Sequence, residues 1–208
     1  MYNLSDSIRF QLKGGLKFQG SIAKFYLKNI DKNLKKGHVD FQLLKDIVDS
    51  YKRPQIKNAI CIHMRLADAC NFKCHKKQDV VQETLHIIDQ YSLSKVYKKS
   101  LIFYKNHINK NERLSQQIIQ NLIHHLKKRG INAEWIANDV DEDFISLSTA
   151  ACYIPTFRGF SWLSASINPN KVFWEIQNPP DFDWVWSKDY IPALNEGYKF
   201  QKQLYNNT

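Results

Sequence analysis

Residues 100–136, SLIFYKNHINKNERLSQQIIQNLIHHLKKRGINAEWI, decide the fold. SLIFY (100–104) is a short apolar run of the kind buried on both faces in a parallel strand. ERLSQQIIQNLIHHLKKRG (112–130) repeats its apolar residues at helical spacing. It closes on a basic last turn and Gly130, both favoured at helix C-termini. INAEWI (131–136) then reads as the next strand. A strand, a helix and a second strand at this spacing form a parallel crossover unit.

The same alternation extends both ways. Upstream, Ala59-Ile60-Cys61-Ile62 is a buried strand, and DVVQETLHIIDQY (79–91) is a helix. Downstream come a short helix with acids in its first turn (141–151), a strand CYIPT (152–156), a helix FSWLSASI (160–167) and a strand KVFWE (171–175). Five strands alternating with helices over about 120 residues predict an α/β fold. The expected architecture is a Rossmann-like, mainly parallel sheet with helices on both faces. It spans residues 57–208, with an aromatic C-terminal tail wrapping back over the sheet. Residues 1–56 read as a short helical N-terminal segment. Within it, 9–19 suggest a strand, a Gly-Gly turn and a strand. Helices are expected over 21–36, with Ile22, Phe25, Tyr26 and Ile30 at helical spacing, and over 39–51, stopped by Pro54.

The 208 residues carry 30 Lys and Arg against 20 Asp and Glu, a net charge of +10, and 43% hydrophobic residues. There is enough apolar mass for a core. No apolar run is long enough to span a membrane. MYNLSDSIRF lacks the apolar stretch of a signal peptide, so a cytoplasmic protein with reduced Cys61, Cys70, Cys74 and Cys152 is expected. Of the basic residues only six are Arg. The lysines are spread along the chain, which suits a solvated surface and a diffuse field that steers anions. A nucleic-acid interface concentrates its basic residues on one face, so nucleic acid is not the expected partner. Scarce arginine makes each Arg informative, because Arg forms bidentate contacts to phosphate.

Several signatures are absent or incomplete. There is no G-x-G-x-x-G, H-E-x-x-H or G-x-S-x-G. Gly15 to Ser21 has phosphate-loop glycine spacing without the required Lys. Asp139, Asp141 and Asp143 alternate like a calcium loop but lack its Gly and Glu. Cys70 and Cys74 start an iron–sulfur pattern whose third position is Lys77. A zinc site of Cys70, Cys74, His75 and His63, and a metal-binding Asp181-Phe182-Asp183, are weaker readings than ordinary thiols and a solvated loop.

In doubly wound sheets ligands bind beyond the carboxyl ends of the strands. Two segments there carry chemistry. His63-Met64-Arg65-Leu66-Ala67-Asp68 leaves the first buried strand and puts Arg65 where it can clamp a diphosphate, or pair structurally with Asp68. Residues 142–176 join Asp143 and Phe144 to Phe160-Ser161-Trp162 at a helix start, where free N–H groups and the dipole favour an anion. Core packing explains Phe160 and Trp162 equally well.

Taken together, H-x-R-x-x-D after a strand, then D-F-x-x-L and F-S-W before a strand, resemble the donor-binding half of the α-1,2-fucosyltransferase family. The matching residues are His63, Arg65 and Asp68; Asp143, Phe144 and Leu147; and Phe160, Ser161 and Trp162. The resemblance covers residues 57–176. It implies a GT-B-type donor-binding domain, a GDP-fucose-like donor, a glycan acceptor and metal-independent inverting transfer with no other cofactor. It implies Arg65 on the pyrophosphate, Asp143 near the guanine or ribose, Ser161 and the backbone of Phe160 at the β-phosphate, and Trp162 as a further donor-binding residue. His63 and Asp68 then orient Arg65 or the acceptor hydroxyl. The chain departs from the family at Leu66, Ala67 and Thr156-Phe157-Arg158-Gly159, where Arg158 offers a compensating positive charge. The family's acceptor-binding N-terminal half needs more chain than residues 1–56, and a second copy in a homo-oligomer is one source of the missing half. An inactive nucleotide-sugar-binding remnant and a basic nucleic-acid-binding module are the alternatives.

Overall fold

The computed structural model describes residues 21–29, 39–64, 66, 80–104, 112–156, 159–174 and 191–207. The expected hairpin over 9–19, Cys70, Cys74, His75, Asp181, Asp183 and the tail residues Trp184, Trp186 and Tyr190 lie outside them.

The elements run α1 (Ser21–Asn29), α2 (Phe41–Ser50), β1 (Ile60–His63), α3 (Val80–Gln90), α4 (Leu93–Val96) and β2 (Lys99–Phe103). They continue with α5 (Glu112–Lys128), β3 (Asn132–Ile136), α6 (Val140–Thr149), β4 (Cys152–Pro155), α7 (Gly159–Ser166), β5 (Lys171–Val172) and α8 (Ile191–Asn206). The fold is α/β. Its five-stranded sheet has the order β3-β2-β1-β4-β5, and every pairing is parallel.

That order explains why the helices divide between the faces. From β1 to β3 the chain steps one way across the sheet, and after β3 it returns to the other side of β1. Right-handed crossovers then put the later helices on the opposite face. Two apolar cores result. Ile60, Ile62, Ile102 and Ile154 point to one face and pack against α3, α4 and α5. Cys61, Phe103 and Tyr153 point to the other and meet α6 and α7. The two-residue alternation within β1 and β4 is the pleat of a strand buried on both sides.

The helices α1 and α2 belong to the second core. Ile22 and Tyr26 from α1, and Phe41, Leu44, Ile47 and Val48 from α2, are buried with Phe144, Tyr153 and Trp162. Asp40 caps α2 by accepting from Leu43 N at 2.9 Å. Its own N–H donates to the Tyr26 hydroxyl at 2.9 Å, fixing α1 against the start of α2. Phe25, at helical spacing with the buried pair, is instead 55% exposed, because Ile22 and Tyr26 one turn apart already define the inward stripe.

On the other face, α5 buries Ser115, Ile119, Leu122 and Leu126. Fully burying each large aliphatic contributes roughly 1.5–3 kcal/mol. The helix ends in a Schellman motif. Ile131 N donates to Leu126 O and Gly130 N to Lys127 O, both at 3.0 Å, and Gly130 sits at φ 74°. That left-handed turn is why glycine closes the helix.

Three elements differ from the sequence expectation. The fifth strand is shorter than 171–175: only Lys171–Val172 pair with β4, although Phe173 N still donates to Tyr153 O at 2.9 Å. α4 is an additional short helix. α8 is a 16-residue helix where few periodic signals are visible. Its Pro192 lies in the first turn, where the lost N–H has no helical partner to miss. Its Gly197 lies where α8 crosses α7. A Cβ there would collide with Ser166 Oγ and stand 3.0 Å from the Trp162 ring. Among the described residues no helix is long and apolar enough to cross a membrane.

Candidate functional site

A parallel sheet that reverses its winding opens a crevice where the two neighbouring strands send their chains to opposite faces. Here that switch point lies between β1 and β4. Both segments of interest start at it: residues 63–68 leave β1, and residues 156–162 leave β4.

The two strand ends are bound together. His63 is in register with Pro155, and the Thr156 hydroxyl donates to His63 O. Met64 N donates to Phe103 O at 2.9 Å, which holds the exit of β1 against β2. Thr156 is fully buried, so its hydroxyl is a structural tie at the edge of the crevice. It was not legible as a site residue, because a Thr at a strand end carries no spacing signal.

Above this tie His63 Nδ1 and Ser161 Oγ share a hydrogen bond. The His63 ring also lies 4.9 Å from Phe160, tilted by 37°. Ser161 is completely buried. It occupies the first turn of α7, which has no acidic residue in that turn. The helix is anchored by Tyr153 on β4, whose hydroxyl bonds Ser164 Oγ at 2.9 Å. Ser164 in turn donates to Phe160 O at 3.0 Å. Burial drives the Tyr153 phenol well above its ordinary pKa, despite hydrogen bonds with Ser164 and Ser161, so it stays a neutral strut.

Asp143 lies in the first turn of α6, 6% exposed. The next residue, Phe144, meets Phe160 edge-on at 5.5 Å and 74°. The first turns of α6 and α7 therefore meet beside the crevice through these two rings. The other acids of that turn serve α1 and the loop after α2. Asp141 accepts from Ser21 N at 2.7 Å and Ser21 Oγ at 2.8 Å, and Glu142 pairs with Arg53 at 2.9 Å. All three favour the positive end of the helix dipole.

Of the residues singled out from sequence, His63, Phe160 and Ser161 are thus in direct contact, with Asp143 adjacent to Phe144 on the neighbouring helix. Trp162 turns into the core, packing edge-on to Phe41 at 5.7 Å and 87° and against Gly197 of α8. Arg65, Asp68 and Arg158 lie outside the described residues. Among the described residues no three His, Cys, Asp or Glu side chains converge as a metal site.

No protein-family model, no curated protein and no solved structure matches this chain. The start of α7, with no acidic residue in its first turn, and the histidine held by its hydroxyl both lie at the crevice, and a helix start favours an anion.

Proposed function

We propose that this chain is a glycosyltransferase of the fucosyltransferase type, moving a sugar from a GDP-sugar to a glycan hydroxyl. The observation that carries the reading is the His63–Ser161 hydrogen bond across the switch point. It joins the two segments whose motifs resemble the fucosyltransferase donor-binding half.

Transfer with inversion breaks the bond between the anomeric carbon and the β-phosphate oxygen while the acceptor hydroxyl attacks from the opposite face. Negative charge builds on the departing GDP. Arg65 supplies a cation for the pyrophosphate, and the first turn of α7 supplies N–H donors and the Ser161 hydroxyl. The helix start is preorganised: β1, β4 and α7 are tied by Thr156, Tyr153 and Ser164. His63 is held in one orientation by Ser161, where it positions Arg65 or the acceptor hydroxyl. Asp143 serves the guanine or ribose. No metal enters this scheme, because the cation and the helix dipole offset the developing charge.

The test is transfer from GDP-fucose to a panel of galactosides, with Arg65→Ala as control. Turnover in the native protein and its loss in the variant support the proposal. GDP binding without turnover across the panel assigns the chain to the inactive nucleotide-sugar binders.

A further inference from the structure

We infer that a cleft at the β5 edge of the sheet is a second binding site, one that takes an acidic sugar unit. The inference stands independently of the donor site. The cleft encloses about 190 Å³ between β5, α8 and the end of α3. That is less than the roughly 300–1,000 Å³ of pockets that engulf drug-sized ligands, so it suits one ring held at an open rim. It lies one strand away from the switch point, at the outer edge of the sheet. Lys171 in its wall is in register with Cys152 at the start of β4, whereas the crevice lies past Pro155 at the end of that strand.

Its walls are aromatic. Tyr91 and Phe173 stand 4.7 Å apart, inclined by 58°. Trp174 and Tyr198 stand 5.5 Å apart, inclined by 77°. Tyr198, Lys202 and Tyr205 follow one another at helical spacing along α8 and face the same cleft. Ring faces are electron-rich and attract the partly positive C–H bonds of a sugar. The rings of each pair touch one another, so a pyranose would lie on the faces left to solvent, chiefly those of Tyr198 and Tyr205, which are 43% and 44% exposed.

The polar groups in the walls are cationic. Lys171 Nζ lies 5.2 Å from the Tyr91 ring centre and 5.1 Å from that of Phe173. Lys202 Nζ lies 5.4 Å from that of Tyr198. Among the described residues no Asp or Glu lines the cleft and neither lysine makes an ion pair. Two ammonium groups beside inclined rings complement a carboxylate on a pyranose. Gln201 fixes the floor. Its Oε1 accepts from Trp174 Nε1 at 3.2 Å, and its Nε2 donates to Asn170 O at 3.0 Å and Asn168 O at 3.4 Å. The Trp174 ring is therefore set before any ligand arrives, which lowers the ordering cost of binding.

The test is calorimetric titration of the whole chain with a hyaluronan tetrasaccharide, its carboxyl-reduced neutral form, and a single-stranded oligonucleotide. The acidic tetrasaccharide is expected to saturate one site, with affinity that falls as salt rises. Carboxyl reduction, or the exposed double change Lys171→Gln and Lys202→Gln, is expected to weaken it at least tenfold. Tyr198→Ala is expected to weaken the acidic and neutral forms alike. The lysine variant is expected to keep the melting temperature of the unaltered chain, which reports that it is folded, and any response to GDP is expected to be unchanged in it. Absence of saturable binding, equal affinity for acidic and neutral forms, or unchanged affinity in the lysine variant overturns the inference. Displacement of the tetrasaccharide by a tighter-binding oligonucleotide also overturns it.

Discussion

The imidazole of His63, at the end of β1, is bonded through Nδ1 to the hydroxyl of Ser161 on α7, 98 residues later in the chain. The bond spans the place where the sheet reverses its winding. It fixes the side-chain orientation at the crevice and ties α7 to the central strand. Ser161→Ala preserves the volume nearly unchanged and removes the partner of His63 Nδ1. A lost buried hydrogen bond of this kind costs about 1 kcal/mol. The expected outcome in urea denaturation is a lower midpoint with an unchanged slope.

Gly197 has a packing role that its place in the sequence conceals. A Cβ at this point of α8 meets Ser166 and Trp162 of α7, both on rigid elements. Gly197→Ala should therefore destabilise the fold by roughly 1–3 kcal/mol through overpacking, although alanine is the better helix former. Thermal or urea unfolding checks the sign. An increase in stability would mean that α8 does not sit this close to α7.

The two thiols of the sheet begin the alkaline limb, ahead of the Tyr26 and Tyr153 phenols, which burial also pushes up. Burial, with a smaller contribution from the neighbouring Cys152, pushes the Cys61 thiol from 9.0 up to about 12. Burial likewise pushes Cys152 up to about 12, opposed by the Tyr97 hydroxyl and by Lys171. The folded state holds these protons longer than the unfolded chain. Their contribution to stability is therefore complete below pH 9 and is lost as pH rises from 9 toward 12. In a Cys70→Ser/Cys74→Ser background, thiol labelling at pH 8 should proceed only at the rate of unfolding. Replacing Cys61 and Cys152 by Ala should remove the fall between pH 9 and 10 and leave the steeper part that the buried phenols add above pH 10.

Arg129 closes the C-terminal turn of α5 onto α3. Its Nε and a terminal nitrogen donate to the two Asp89 oxygens at 2.8 and 2.7 Å, and Nη1 donates to His125 O at 3.2 Å. The Arg129 hydrogen bond, aided by its charge and opposed by desolvation, holds Asp89 below the usual carboxylate range. The stability from this pair is present above the unfolded carboxyl value of 3.8 and is lost as pH falls through the folded one. Both groups meet solvent, so Arg129→Gln should cost only about 0.5–1 kcal/mol at neutral pH. The difference should shrink in 1 M salt and vanish once pH falls below the folded Asp89 value.

The residues differ in how openly they declare their roles. In β1, β2 and α5 the apolar pattern is local, and the elements stand out directly from the chain. Gly130 likewise announces its turn, because a left-handed residue after a basic helical turn has few other uses. The strand order is not local, yet it follows once the β3 to β4 return is known. α8 was hidden because its glycine and proline, which usually interrupt helices, are here required by a close crossing and tolerated in a first turn. At the switch point, the positions of His63 and Ser161 after their strands were legible, but their contact depends on β1 and β4 being neighbours. Trp162 adjoins the motif and faces the core, a direction set by the helical turn of α7.

Donor binding at the switch point is tested most directly by the melting temperature of the whole chain with and without GDP. A ligand that binds the native state raises that temperature with its concentration. GDP should raise it, UDP and ATP less so, with no effect of chelator; the shift should shrink in Ser161→Ala and disappear in Arg65→Ala. Stabilisation by oligonucleotides but not by GDP, or a full GDP shift in Arg65→Ala, would contradict a diphosphate site between β1 and β4.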